Sequence, residues 1–274
     1  MSLSVCIPAH NAARTLQATL DSVLRNDAEF ELVVVNNASS DATEEIARSV
    51  SDRRVVVHST DEFLSIGHSW NRTVSLSTGS LVKVVCADDL IEPDALDRQS
   101  SVMADDSVTL AASRYDVIDE FGNLEESGLG LQGLEGHRDA RAVFRTVVRE
   151  GPAGFGPTAG AIFRRELFDR VGGFRGDLVF PMDVDLFARI AAFGRFYGDP
   201  GALASWRNSR FNLCAQTTSQ SKLAEMFHGN RRLRAEHPDL VSAADVLLGD
   251  LRLFNAGLTR VGARVARMVN HGAQ

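Results

Sequence analysis

Cysteine is scarce: Cys6, Cys86 and Cys214 are the only three among 274 residues. They are odd in number and far apart, and no C-x-x-C or Cys/His zinc spacing exists, so neither a disulfide framework nor a zinc module is expected. Cys6 and Cys86 fall inside apolar runs and read as buried thiols, which fits a reducing cytoplasm. Long hydrophobic runs are also missing. No segment reaches the roughly 18 apolar residues of a membrane span. Met1-Ser2-Leu3-Ser4 has neither the charged start nor the apolar stretch of a signal peptide. A cytoplasmic protein is expected, one that visits the inner face of the membrane if its substrate is anchored there. Seven prolines and 22 glycines are too few for a fibrous or disordered chain. There is no excess of basic charge: the net charge is −7. The few aromatics are not interleaved with arginines, so a nucleic-acid partner is not expected.

What is present is ordinary globular material, 44% hydrophobic and 24% charged. The first hundred residues alternate between two periodicities. Leu3–Pro8, Glu31–Val35, Val55–His58 and Leu81–Cys86 are short, β-branched apolar runs and read as strands. Between them, Ala12–Arg25, Asp41–Val50 and Ile66–Ser77 read as helices, and Pro93 opens another that reaches about Met103. Strand–helix alternation at this spacing predicts a mostly parallel sheet with helices on both faces. The next hundred residues are less regular. Thr109–Asp119 and Thr158–Phe163 read as strands, Gly122–Gly136 as a Gly-rich polar loop, and Arg165–Val171 and Asp183–Phe193 as helices. The last sixty residues read as helical.

In such sheets ligands bind beyond the carboxyl ends of the strands. Here those ends carry polar groups at Pro8–Asn11, Asn36–Ser40 and Ala87–Asp89. Asp88 and Asp89 are adjacent acids after a strand, where a divalent cation and a diphosphate would offset their repulsion; a solvated capping turn is the plainer reading. Asn36 and Asn37 offer amides that can meet a base edge, or simply cap the next helix. Asp183 and Asp185 open a helix; either carboxylate can take a proton from a hydroxyl, and either also suits a positive helix end. Gly128-Leu129-Gly130-Leu131-Gln132-Gly133 matches G-x-G-x-x-G, but it follows Glu125-Glu126-Ser127 rather than a strand. It is read as a flexible loop over the site, not a dinucleotide fingerprint.

In order, these segments resemble the family 2 glycosyltransferases. The matches are Ser4-Val5-Cys6-Ile7-Pro8-Ala9-His10-Asn11; Glu31–Val35 with Asn36-Asn37-Ala38-Ser39-Ser40-Asp41; Gly67 through Trp70-Asn71-Arg72 to Gly79; and Ala87-Asp88-Asp89 with Pro93-Asp94-Ala95-Leu96. They continue with Gly160–Arg164 and Val171-Gly172-Gly173-Phe174, then Met182-Asp183-Val184-Asp185-Leu186, and the resemblance spans about Leu3 to Trp206. It implies a GT-A-type, Rossmann-like sheet plus a C-terminal helical segment. A nucleotide-sugar half would occupy 1–104, an acceptor half 105–210 and a helical extension 211–274.

The implied activity is inverting, metal-dependent sugar transfer from a nucleotide-diphosphate sugar to an acceptor hydroxyl on a glycan or lipid-linked molecule, as in bacterial cell-surface glycan synthesis. By resemblance, Pro8, Ala9 and Asn11 line the base and ribose pocket, and Asn37 takes the position that contacts the pyrimidine. Asn36, Asn71 and Arg72 join the donor site. Asp88 holds the ribose or the metal's surroundings, Asp89 coordinates Mn²⁺ or Mg²⁺, and Asp183 is the base, with Asp185 as second choice. Asn37 replaces the usual Asp, Cys86 an acid, Met182 a Glu and Trp70 an Arg, with Arg72 as the substitute phosphate contact. A catalytically inactive nucleotide-sugar-binding protein and a sugar nucleotidyltransferase are the rival readings. At the C-terminus, Leu248, Leu251, Phe254, Leu258, Val261, Val265 and Met268 recur at helical spacing, with Arg252, Arg260, Arg264 and Arg267 off the stripe. Packing on the domain is the preferred reading; contact with anionic lipid and homodimer formation are the others.

Overall fold

The computed structural model describes residues 1–255. Of the C-terminal stripe and its arginines, Leu258, Val261, Val265, Met268, Arg260, Arg264 and Arg267 lie outside the described residues. The strands are β1 (Leu3–Ala9), β2 (Glu31–Asn37), β3 (Val55–Thr60), β4 (Leu81–Val84), β5 (Leu90–Ile91), β6 (Val108–Ile118), β7 (Leu124–Leu129), β8 (Gly136–Arg138), β9 (Ala161–Arg164) and β10 (Arg195–Arg207). The helices are α1 (Leu16–Leu24), α2 (Thr43–Ser49), α3 (Ile66–Ser75), α4 (Ala95–Met103), α5 (Ala140–Glu150), α6 (Pro152–Phe155), α7 (Arg165–Arg170), α8 (Met182–Ala191), α9 (Leu213–Gln216) and α10 (Ser219–Glu236). Residues 243–255 are also helical.

One 10-stranded sheet runs β3-β2-β1-β4-β9-β6-β10-β5, with β7 added to β6 and β8 to β10. The β3-β2-β1-β4 half is parallel, as is the long β6–β10 pair. Antiparallel β9 joins these two parts. Side chains alternate between two cores. Val5, Ile7 and Ala9 of β1 pack with α1 and α4 on one face, while Cys6 packs with Val74 of α3, Val147 of α5 and Phe187 of α8 on the other. Helices on both faces leave β1 buried along its whole length, which is why it reads as a continuous apolar run rather than an alternating one.

The second half departs from the sequence reading. Residues 122–136 are not one loop: they contain β7 and lead into β8. The G-x-G-x-x-G segment is anchored, because Leu131 and Leu134 are buried in the core and the Leu131 and Gln132 amides donate to the Phe155 and Gly154 carbonyls. Its glycines supply positive φ at Gly128, Gly130 and Gly133. The 158–163 segment divides into a 3₁₀ turn, Thr158–Gly160, followed by β9. Strand β10 is hidden in sequence by Gly198, Pro200 and Gly201, and its pairing with β6 shifts register between Asp199 and Ala202.

Candidate active site

The carboxyl ends of β1, β2 and β4 lie side by side. They bring 8–11, 36–40 and 86–89 to one edge, and helix α8 adds Asp183. The acidic turn is fixed from two directions. From α1 and the residue before it, the Thr15 and Thr19 hydroxyls donate to the Ala87 and Asp89 carbonyls at 2.8 Å each. From β10, the Arg207 amide donates to Asp89 Oδ1 at 3.1 Å and Arg207 Nε to the Asp88 carbonyl at 2.8 Å. Sequence reasoning missed Arg207; a lone Arg at the end of a strand gives no signal, since its partner is far along the chain.

Asp89 is 2% exposed. Burial pushes its carboxyl well above the usual range, and the neighbouring Asp88 adds to that rise; Asp183 also contributes. Burial raises Asp88 too, opposed by the Arg207 guanidinium. A ligand atom of Cys86 lies within 4.8 Å of those of Asp88 and Asp89, and theirs of each other. Two carboxyls that resist ionisation unless a cation is near, grouped that tightly, fit a divalent ion. Cys86, expected to be buried, is only partly so, whereas Cys6 is buried in β1 with its thiol pushed up to about 12 by burial.

The two acids of α8 have different surroundings. Asp183 is half-buried in the first turn, and burial raises its carboxyl to about 6. The Val184 amide donates to Oδ1 at 2.8 Å and the Thr158 hydroxyl to Oδ2 at 3.0 Å, both holding that rise down. Each oxygen keeps a lone pair for another partner. Asp185, two residues on, is 2% exposed. Arg175 Nη1 donates to its Oδ1 at 2.9 Å, and Arg189 Nε and Nη2 reach Oδ2 at 2.8 Å. This ion cluster ties α8 to residues 171–175, because Arg189 also donates to the Val171 and Gly173 carbonyls. Asp185 has the surroundings of a structural acid.

The asparagines named from sequence hold main chain. Asn11, at φ 48, accepts from the Ser40 amide at 2.9 Å and so clasps the loop after β2 to the loop after β1. Asn36 donates to Glu44 and accepts from the Ser39 amide. Asn37 donates to the Leu64 carbonyl and accepts from the Leu64 amide, both at 2.9 Å, and also from the Thr60 hydroxyl at 3.3 Å. Its carbonyl is therefore occupied, and one amide N–H remains for a base. Asn71 pairs with both the amide and the carbonyl of Phe174 at 2.8 Å. Its amide is thus a staple from α3 to the 171–175 turn. Arg72 lies exposed in the last turn of α3. Helix rise puts it about 9 Å back from Ile66, away from the carboxyl-end edge. Pro8 and Ala9 end β1 beside that edge, where His10 bonds the Asn37 carbonyl at 2.7 Å and meets Phe63 with ring centroids 4.7 Å apart.

A parallel half-sheet with an acidic turn at its carboxyl edge, completed by a helix-borne acid across an antiparallel strand, defines the GT-A-type architecture. The family model described as Glycosyl transferase family 2 matches residues 4–172, more than half of the chain. The chain belongs to that family. It is 30% identical over 195 residues to an uncharacterised protein of Mycobacterium tuberculosis (strain CDC 1551 / Oshkosh), covering 69% of this chain and 61% of that one. It is 35% identical over 108 residues to a PGL/p-HBAD biosynthesis glycosyltransferase of Mycobacterium bovis, covering 37% of this chain and 41% of the relative. The chain thus spans less than two thirds of these relatives' length. Among solved structures, S. aureus TarS 1-349 in complex with UDP-GlcNAc superposes with a TM-score of 0.72 at 17% identity, over 92% of this chain and 72% of that one. The mannosyltransferase PcManGT from Pyrobaculum calidifontis, in complex with GDP-Man and Mn²⁺, superposes with a TM-score of 0.61 at 21% identity, over 96% and 80%.

Proposed function

We propose that this protein transfers a sugar from a nucleotide-diphosphate sugar to an acceptor hydroxyl, with inversion, in the assembly of a bacterial cell-surface glycan. The observation that carries the reading is the pairing of a turn that holds partly buried Asp88 and buried Asp89 with Asp183, whose carboxylate keeps lone pairs for another partner. Residues 1–104 bind the donor and 105–210 the acceptor. Pro8, Ala9 and the remaining Asn37 N–H line the base pocket, while Asn11 and Asn36 shape its loops. Asp89 and Asp88, grouped with the Cys86 sulfur, would hold Mn²⁺ or Mg²⁺, which when bound would offset the charge of the diphosphate.

Asp183 accepts the acceptor proton. A carboxylate near 6 is ionised at neutral pH and still basic enough to help. The fixed Thr158 and Val184 donors hold its orientation while the hydroxyl oxygen attacks the anomeric carbon and the bond to the diphosphate breaks. A single displacement inverts that carbon. Asp185 is held by two guanidinium groups and is not available for this role.

The test has two stages. Thermal shift across UDP, dTDP, GDP and CDP, with and without Mn²⁺, identifies the base, because a ligand bound only by the folded state raises the melting temperature. Donor consumption with candidate acceptors then reads transfer, and NMR of the product reads its anomer. Asp183→Asn should abolish transfer and keep nucleotide binding; retained turnover would rule Asp183 out as the base. Cys86 and Met182, standing where the family carries acids, favour a binding-only protein as the second reading. Metal-dependent nucleotide binding with neither transfer nor hydrolysis would establish it.

A further inference from the structure

Lys83 is a charged side chain for which the proposed chemistry has no use. It stands in β4 and is 0% exposed. Leu81 and Val85, two residues to either side of it, belong to the same apolar core as Leu96 and Met103 of α4. Among the described residues no acid pairs with it, and burial alone lowers its ammonium to about 7. A buried ammonium without a counter-ion costs stability. A methionine would fill much the same space without that cost. What the ammonium supplies and methionine lacks is a set of hydrogen-bond donors.

Those donors start a relay that ends at Asp183. Lys83 Nζ donates to Gln99 Oε1 of α4 at 2.8 Å and reaches the Ala161 carbonyl at 3.5 Å. Gln99 is 2% exposed, and its Nε2 donates to the Gly160 carbonyl at 2.7 Å. The Ser113 hydroxyl of β6 donates to the same carbonyl at 3.4 Å. An ammonium only donates and a carbonyl only accepts, so the amide between them has one orientation that satisfies both. Gly160 closes the 3₁₀ turn that begins at Thr158. The Thr158 hydroxyl in turn donates to Asp183 Oδ2. Strand β4 and helix α4 are thus tied to the turn from which Asp183 is held.

We propose that Lys83 and Gln99 are positioning residues for sugar transfer. The ammonium locks the Gln99 amide, the amide fixes the Thr158–Gly160 turn, and the turn aims the Thr158 hydroxyl at Asp183. Both residues act through Thr158. The proposal rests on the reading of Asp183 as the base.

The test follows the Asp183 carboxyl by ¹³C NMR in metal-free, aspartate-labelled full chain, its signal assigned by its loss in Asp183→Asn. Gln99→Glu is the sharpest variant. Its carboxylate pairs with the Lys83 ammonium but cannot donate to the Gly160 carbonyl. It should melt cooperatively and shift the Asp183 titration upward, as Thr158→Val does. With the donor and acceptor found in the transfer assay, it should lower kcat by about tenfold and leave the donor KM unchanged. Lys83→Met should act in the same direction to a smaller degree, and it carries the test if the glutamate variant does not fold. Neither change should add to the effect of Thr158→Val, because both act through its hydroxyl. An unmoved Asp183 titration with wild-type kcat in these variants, beside an inactive Asp183→Asn, would overturn this proposal alone. Effects that add to those of Thr158→Val would also overturn it. Turnover retained in Asp183→Asn would overturn the base assignment and this proposal with it.

Discussion

The Thr158 hydroxyl donates to Asp183 Oδ2 at 3.0 Å, from a 3₁₀ turn that lies 25 residues before its partner. Thr158 is buried, so its hydroxyl is a fixed donor to the half-buried carboxylate. The bond favours the charged carboxylate, and its loss lets burial raise Asp183 further. Thr158→Val should therefore move the acidic limb of the pH–rate profile upward from near 6, by about one unit at the usual strength of a bond to a charged group. Thr158→Ser should restore the limb. A limb that stays in place in the valine variant would show that another group sets it.

Stability should respond in opposite directions to the two acids of α8. Asp183 has a folded value of about 6 against an ordinary 3.8, so the folded state holds the proton more tightly than the unfolded chain does. That contribution is present at low pH and is lost as pH rises through about 6. Above this the buried charge costs at most about 3 kcal/mol, less after screening of a half-buried group. Asp183→Asn should thus stabilise the protein more at pH 8 than at pH 4.

Asp185→Asn should destabilise the protein, because it leaves the Arg175 and Arg189 guanidinium groups without their shared carboxylate. Breaking a buried pair costs about 3–5 kcal/mol, or a melting temperature lower by roughly 10 °C in a chain of this size. Thermal melts of the two variants at matched pH check both signs.

Divalent cation should raise the melting temperature more at pH 8 than at pH 6. The Asp88 and Asp89 carboxyls are both raised by burial, so protons compete with a cation for them, and that competition weakens as pH rises. Asp89→Asn should remove the Mn²⁺ shift in melts with and without EDTA, and should stabilise the metal-free protein at high pH by removing one buried charge. A full Mn²⁺ shift in that variant would place the ion elsewhere.

Asn71→Ala should lower stability and leave the nucleotide dissociation constant unchanged if its two bonds to the Phe174 main chain are its whole role. Arg72→Ala should alter neither quantity by more than a small amount. Calorimetric titration with the preferred nucleotide, alongside a melt, distinguishes the staple from a donor contact.

The first hundred residues were readable because each element there carries its own pattern. Glu31–Val35 is a β-branched run buried on both faces, and Asp88-Asp89 stand just after a strand, where the chain must turn at the carboxyl edge. Beyond Val108 the signal weakens. Strand β10 is broken by Gly198, Pro200 and Gly201, and only its pairing with β6 makes it a strand. Residues 122–136 read as a glycine loop because the burial of Leu131 and Leu134 depends on α5 and α6, which lie outside the motif itself.

The sequence by itself determined the alternating sheet, the acidic turn and the presence of two acids at the start of α8, since these follow from local periodicity and charge. It did not determine which acid is available, because that depends on Arg175, Arg189 and Thr158 arriving from separate turns. Nor did it show that Asn37 and Asn71 hold main chain at Leu64 and Phe174, or that Arg207 clasps an acid 118 residues earlier. A side chain's role is set by which partners saturate its lone pairs and N–H groups, and those partners meet only when the sheet and its two helical layers close.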